Sequence, residues 1–183
     1  AIANPIGEFT PPQKGQTVAI AINDKTRPVP HDYLLPPLLE YLHNTGIRDE
    51  DIVFVIATGA HPVMPPHEYL WILPEHIVDR YRIVCHDAYN DPILSYIGTT
   101  TRGTPVYVNN DYAKADYKIV VGNIEPHQFQ GFSGGVKSAA IGVTGKKTIN
   151  HNHALMTDPN AKLGVYEENP ARQDVEEIGQ MIG

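Results

Sequence analysis

The sequence predicts an α/β fold in which helices cover both faces of a mainly parallel sheet. Its apolar runs are continuous rather than alternating, which is typical of strands that are buried on both faces. Segments with helical spacing separate these runs, as in strand–helix–strand units. The 183 residues are enough for one sizeable core, so we expect a single Rossmann-like domain over residues 1–183.

Four short runs rich in β-branched residues are predicted as buried strands. They are TVAIAI (17–22), DIVFVIA (51–57), YRIVCHD (81–87) and YKIVVGNI (117–124). Residues 103–110 (GTPVYVNN) fit either a further strand or one arm of a hairpin.

Helices are predicted between the strands and at the end of the chain. Residues 32–46 have helical spacing, but Pro36 and Pro37 lie inside them, and a proline within a helix costs about 3 kcal/mol. We therefore expect a kinked or late-starting helix there. Small residues after Ser133 suit the start of another helix, and residues 169–182 read as a closing helix.

Composition narrows the class of protein. With 21 acidic and 14 basic residues the net charge is −7, and no basic block occurs, so we expect neither nucleic acid nor a membrane surface as a partner. The apolar runs are far shorter than the roughly 20 residues that span a bilayer. The single cysteine, Cys85, cannot form an internal disulfide, which favours a reducing compartment and predicts a cytoplasmic protein.

Chemically reactive residues follow three of the predicted strands. Ligands of parallel α/β sheets bind beyond the carboxyl ends of the strands, so we expect residues 23–28, 58–62 and 125–137 to form one site. In the first segment, Arg27 is suited to grip a carboxylate or phosphate, with Asp24 holding it in place. The alternative is a turn-stabilising aspartate beside a solvated arginine.

Histidines occupy the other two segments. His61 follows the second strand, and a side chain with a reference pKa of about 6.5 is suited to general acid/base chemistry, although it also fits an ordinary loop residue. His127 lies behind Pro126, ahead of the Gly-rich turn. The stretch NHNH (150–153) adds His151 and His153, of which only one could face a given site on a helix.

The Gly-rich turn contains Ser133, Gly134 and Gly135 and leads to Lys137. Glycines let main-chain N–H groups approach an anion, and Lys137 adds either a charge or a nucleophilic amine. The stretch lacks the glycine spacing of a P-loop, so we reject that interpretation. A structural turn followed by a solvated lysine remains the alternative.

Taken together, the motifs DKTRP (24–28), ATGAHP (57–62), EPHQFQGFSGGVKS (125–138) and NHNH resemble the catalytic domain of the nickel-pincer lactate racemase family, which contains 2-hydroxyacid racemases and epimerases. The segments ANPIG (3–7) and NPARQDVEEIG (169–179) also look like family segments, so the resemblance covers almost the whole chain. It implies a fragment of a longer two-domain protein, whose second domain closes over the substrate.

The resemblance implies an unusual cofactor. The family uses nickel held by a pyridinium mononucleotide with two thio-carboxylate arms, one of them joined to a lysine. Matched by motif, Lys137 is the covalent anchor and His153 the protein ligand of nickel, with Ser133, Gly134 and Gly135 cradling the cofactor.

The resemblance also implies a reaction on a small 2-hydroxy acid. His61 and His127 would be the paired acid/base residues, while Arg27 with Asp24 alongside would orient the substrate carboxylate. Two other functions fit the same residues. One is a non-catalytic anion- or nucleotide-binding module, and the other is an ordinary metal-dependent lyase or hydrolase that uses His61, His127 and His153.

Overall fold

The computed structural model describes residues 2, 5–7 and 9–183. Its strands, in chain order, are β1 (Val18–Asn23), β2 (Ile52–Ala57), β3 (Arg82–Cys85), β4 (Leu94–Thr99), β5 (Pro105–Asn109), β6 (Tyr117–Val121), β7 (Pro126–His127) and β8 (Gly131–Phe132). Its helices are α1 (His31–Asn44), α2 (Glu75–Arg80), α3 (Asn110–Lys114), α4 (Val136–Ala140), α5 (Lys146–Ala154) and α6 (Pro170–Ile182). The segment 3–7 is only partly covered, since Ala3 and Asn4 lie outside the described residues.

The four predicted strands form one parallel sheet in the order β3-β2-β1-β6. The chain builds outward from β1 to β3 and then returns to the other side of β1. The strand order therefore reverses between β1 and β6, and ligands of such sheets bind in the crevice at this point. The predicted α/β class with a mainly parallel sheet is confirmed.

Helices cover both faces of the sheet, as predicted, because alternate residues of β1 point to opposite faces. One core joins β1 to α1 through Val18, Ile20, Ile22, Leu35, Leu39 and Leu42. The other joins β1 to α4 and α6 through Ala19, Ala21, Ala139, Ala140, Val175 and Ile178. The small alanines of β1 let α4 lie close to the sheet. Gly179 in turn lets α6 lie close to α4, because a Cβ at this position would collide with Val136 of α4.

The α1 helix begins at His31, before both of its prolines, so of the two predicted arrangements, a kinked or a late-starting helix, the late start is wrong. Pro36 and Pro37 lie on the solvent side of the helix. The carbonyl groups four residues earlier, on Asp32 and Tyr33, belong to exposed residues as well. Water can therefore replace the two missing hydrogen bonds, which lowers the cost of the prolines.

Residues 103–110 supply one arm of an antiparallel hairpin, β4–β5, outside the main sheet. This is one of the two arrangements that the sequence allowed. A bridge between Val108 and Thr144 and a main-chain hydrogen bond of 2.8 Å from Asn109 N–H to Val143 O fix the hairpin beside α5. Among the helices of the described part of the chain, none is long and apolar enough to cross a membrane.

Candidate active site

A cavity of about 410 Å³ opens at the carboxyl edge of the sheet. The segments after β1, β2 and β6 form its walls, together with α4 and α5. Eight of the nine predicted site residues line it: Asp24, Arg27, His61, His127, Ser133, Gly134, Lys137 and His153. The ninth, Gly135, is exposed and does not line the cavity. The structure thus brings the predicted residues together, and their roles remain predictions.

His61 is paired with a buried carboxylate. Its Nδ1 lies 2.7 Å from Oδ2 of Asp24, a residue that is only 3% exposed. The other oxygen, Oδ1, accepts hydrogen bonds from the N–H (3.0 Å) and hydroxyl (2.6 Å) of Thr26. Because a carboxylate accepts here, Nδ1 of His61 carries a proton, so in the neutral ring the lone pair lies on Nε2.

Arg27 is held by a different acid from the one we predicted. The Asp24 side chain turns to His61, and its link to Arg27 is a main-chain bond of 3.1 Å from Arg27 N–H to Asp24 O. The Arg27 guanidinium instead lies 3.4 Å from Oε2 of Glu125, which follows β6. Sequence analysis missed Glu125 as a partner, although it is the first residue of the EPH stretch.

His127 faces hydrogen-bond donors rather than an acid. Its Nδ1 accepts the main-chain N–H groups of Gln130 (3.3 Å) and Phe129 (3.5 Å), so in the neutral ring Nε2 carries the proton. Burial lowers the pKa of His127 to about 4, assisted by the positive charges of Lys137, Arg27 and His153. At neutral pH the ring is therefore uncharged.

Lys137 is half-buried at the start of α4, directly after the Gly-rich turn. Gly134 has φ +75°, and a Cβ there would collide with the carbonyl of Asn123, so the turn requires glycine. Burial lowers the pKa of Lys137 to about 8, and the nearby charges of Arg27 and Arg172 act in the same direction. A lysine with this pKa has a readily accessible neutral, nucleophilic form.

His153 reaches the cavity from α5, while His151 is exposed on another side of the helix. One histidine of the NHNH stretch therefore faces the site, as helical geometry requires. Nδ1 of His153 is buried and has no hydrogen-bond partner among the described residues. Burial, with the charge of Lys137, lowers the pKa of His153 to about 4.

Phe129 lies between the two histidines of this wall. Its ring is edge-on to His127, with centroids 4.8 Å apart, and to His153 at 5.0 Å. Its carbonyl accepts a hydrogen bond of 2.9 Å from the side chain of Asn169, the N-cap residue of α6. The closing helix thus supports the segment that carries His127.

A buried polar network behind the cavity was also missed from the sequence. Asn152, between the two histidines of α5, donates to Asp174 (2.9 Å) and accepts from the side chain of Gln130. All three are fully buried, and Asp174 also accepts from Thr100 (2.7 Å) and Thr104 (2.9 Å). These contacts fix α5 and α6 to the segment of His127, while Oε1 of Gln130 is buried without a hydrogen-bond partner among the described residues.

The histidines do not form a metal site by themselves. Within the described ranges, no three His, Cys, Asp or Glu side chains are grouped so that they could hold a metal ion. An ordinary metal bound by His61, His127 and His153 therefore has no support from the geometry.

Residues 1–164 match the family described as the lactate racemase N-terminal domain. The lactate racemases of Thermoanaerobacterium thermosaccharolyticum and Lactiplantibacillus plantarum are each 34% identical over 180 residues, which are 96% of this chain and 42% of each relative. The lactate racemase apoprotein structure from the former species has a TM-score of 0.92 at 33% identity, with 100% of this chain and 45% of that chain covered.

A second solved structure, of a protein from Thermotoga maritima, shares the fold, with a TM-score of 0.77 at 22% identity over 92% of this chain and 44% of that one. The chain spans less than half the length of each relative. The match covers all four motifs on which the resemblance rested, and the resemblance is confirmed. The chain belongs to the lactate racemase N-terminal domain family.

Proposed function

We propose that this chain is the catalytic part of a racemase or epimerase of a small, lactate-like 2-hydroxy acid. The observation that carries the proposal is the convergence of two histidines, one arginine and one lysine on a single cavity, His61 and His127 arriving on separate loops. Two relatives that are each 34% identical to this chain are lactate racemases, which supports a small 2-hydroxy acid as the substrate class. The substrate is a 2-hydroxy acid that binds with its carboxylate at Arg27.

The residues of the cavity fit the family's nickel-pincer cofactor. Lys137 presents a half-buried amine with a lowered pKa beside an open Gly-rich turn. His153 has one ring nitrogen left for a ligand, and the cavity offers no competing cluster of metal-binding side chains in the described residues. Lys137 would carry the pyridinium nucleotide covalently, and His153 would bind its nickel. When bound, this group would supply the hydride chemistry that is needed at C2 of the substrate.

The protein's own task is to handle the hydroxyl proton. A C2–H bond is too weakly acidic for a histidine, but the hydroxyl proton can pass to the Nε2 lone pair of His61 as the hydride leaves. Asp24 holds the ring in the tautomer that this transfer needs. The resulting 2-oxo acid is planar at C2, so it can be reduced on either face.

His127 serves the other enantiomer of the substrate. It reaches the cavity on the segment after β6, whereas His61 follows β2. Its Nε2–H is available to donate to the substrate oxygen in the resting state. An anion bound among Lys137, Arg27 and His127 adds negative charge there, which favours protonation of the ring.

The test is intact and peptide mass spectrometry, with metal analysis, on full-length protein made together with the enzymes that synthesise the cofactor. We expect an adduct on Lys137 and one nickel per chain. In matched variants, Lys137→Arg loses both, whereas His153→Ala keeps the adduct and loses nickel. An unmodified Lys137 in folded protein would overturn the proposal and favour the anion-binding module.

A further inference from the structure

A chain of polar side chains at the rim of the cavity has no role in the function proposed so far. The side-chain amide of Asn23 donates to Oδ1 of Asn123 at 2.8 Å, and the amide of Asn123 donates to Oε1 of Glu125. The other carboxylate oxygen, Oε2, lies 3.4 Å from Nη1 of Arg27. This rim chain, Asn23–Asn123–Glu125, connects the end of β1 to the segment after β6.

The Glu125 carboxylate is fixed more firmly than the arginine it faces. The main-chain carbonyl of Glu125 accepts hydrogen bonds from the N–H (2.7 Å) and the hydroxyl (3.3 Å) of Ser133. The Gly-rich turn therefore fixes the main chain at Glu125. The side chain of Glu125 is held by Asn123. The two side chains are about equally exposed, at 43% for Arg27 and 46% for Glu125, but Arg27 extends from a turn and its only side-chain partner among the described residues is Glu125. An arginine in that setting loses much rotamer freedom on binding unless a partner holds it beforehand.

The contact with Glu125 occupies only one part of the guanidinium. Nη1 faces Glu125, while Nε and Nη2 have no hydrogen-bond partner among the described residues. Nε and Nη2 form one edge of the planar fork, and that edge can bind a carboxylate through two parallel hydrogen bonds. Arg27 lines the cavity, whereas Glu125 does not.

We propose that Glu125, supported by Asn123 and Asn23, is a positioning residue that presents the Nε–Nη2 edge of Arg27 to the substrate carboxylate. This inference rests on the proposed function, in which Arg27 binds that carboxylate. The contact has two opposing effects. It fixes the orientation of the fork, which favours binding, and its negative charge weakens the attraction of Arg27 for an anion.

These two effects are separated by two substitutions at one position. Glu125→Gln and Glu125→Ala both remove the charge, but only glutamine keeps an oxygen that can accept from Nη1. We expect the affinity of the full-length protein without cofactor for lactate, measured by titration calorimetry, to be about fivefold or more higher in Glu125→Gln than in Glu125→Ala. In cofactor-loaded protein, KM should be higher in Glu125→Ala than in Glu125→Gln by the same factor. The kcat values should agree within about twofold, because the contact stabilises bound substrate and transition state equally.

Equal lactate affinities and equal KM values in these two variants, with matching melting temperatures, would overturn the positioning role. If Glu125→Ala does not fold, Glu125→Asp replaces it. This variant keeps the charge but shortens the side chain by one methylene, so we expect weaker lactate binding than in the wild type. Wild-type affinity in Glu125→Asp would also overturn the inference.

Arg27→Ala distinguishes failure of this inference from failure of the proposed function. If Arg27→Ala binds lactate as well as the wild type and keeps its KM, Arg27 is not the carboxylate site, and both the substrate assignment and the role of Glu125 fall. If Arg27→Ala loses binding while the Glu125 variants remain alike, only the role of Glu125 falls.

Discussion

The two predicted acid/base histidines lie in opposite surroundings. His61 is half-exposed and donates from Nδ1 to the buried carboxylate of Asp24. His127 is partly buried among positive charges, and its Nδ1 accepts main-chain N–H groups. In the racemisation proposed above, two mirror-image substrates would therefore be served by two residues that lie in unlike surroundings. In the resting site only His61 presents a free Nε2 lone pair, and His127 presents an N–H.

If His127 is to accept a proton as proposed, its segment has to change conformation. For His127 to accept a proton at Nε2, its existing proton must be on Nδ1 instead. The N–H groups of Phe129 and Gln130 point at that atom, so they must first move away. The comparison of the two histidines can be tested at several levels, from loss of activity to the position of a single proton.

Removing either ring should have the largest effect. We expect His61→Gln and His127→Gln each to lower kcat for lactate racemisation by about 10²–10⁴-fold, because each deletes a general acid/base. Chiral chromatography of the lactate measures the rate. Mass spectrometry provides the control, since both variants should keep the Lys137 adduct. Activity within tenfold of the wild type would show that the residue does not transfer the proton.

Removing the carboxylate that supports only one of the histidines should have the next largest effect. We expect Asp24→Asn to lower kcat by about 10²-fold, because the amide no longer fixes the tautomer of His61. Thr26→Val is the matched control, since it removes one bond to Asp24 and leaves the Asp24–His61 contact in place. If Thr26→Val is as damaging as Asp24→Asn, the loop conformation matters rather than the carboxylate.

The stability of the cofactor-free protein should depend on pH through His127 and His153. The pKa values of His127 and His153 are lowered to about 4, while an unfolded histidine has a pKa of about 6.5. Between these values the unfolded chain binds more protons, so this contribution to stability is complete above pH 6.5 and is lost as the pH falls towards 4.

Thermal melting between pH 7 and pH 4.5 measures this effect. His127→Gln and His153→Gln should give shallower curves of melting temperature against pH than the wild type. The slope should decrease without vanishing, because burial also lowers the pKa values of His31 and His86. Curves parallel to that of the wild type would contradict the assigned burial of the two rings.

The smallest expected difference is the position of one proton. In cofactor-free protein at neutral pH, ¹⁵N chemical shifts of the imidazole nitrogens should show the Nδ1–H tautomer for neutral His61 and the Nε2–H tautomer for His127. His61→Gln and His127→Gln assign the signals. The same tautomer in both rings would remove the asymmetry on which the comparison depends.

The position of the site could be predicted from the sequence, but its internal contacts could not. Continuous apolar runs imply parallel strands, and parallel strands bring their carboxyl ends to one edge, so the segments of Arg27, His61 and Lys137 had to meet. Which side chains pair depends on rotamers and turns. Asp24 was paired with Arg27, three residues away, whereas the Thr26 turn directs it to His61, 37 residues away.

Contacts between distant segments left no local pattern to detect. Glu125 and Arg27 are 98 residues apart, and Asn23 and Asn123 are 100 residues apart. Asp174 lies in an amphipathic helix where a charged residue is usually solvated, yet it is fully buried. The two prolines in α1 do form a local pattern, but it predicted the wrong helix start. Exposure to water offsets the cost of a proline inside this helix.

The aromatic ring between the two histidines of the α5 wall has a consequence for proton traffic. If the imidazoles of His127 and His153 touched, a proton could be shared between them, and each would be tied to the state of the other. Each imidazole instead packs edge-on against Phe129. The residue proposed to carry the reacting proton and the residue proposed to bind nickel are still coupled through charge, since a positive charge on His153 lowers the pKa of His127.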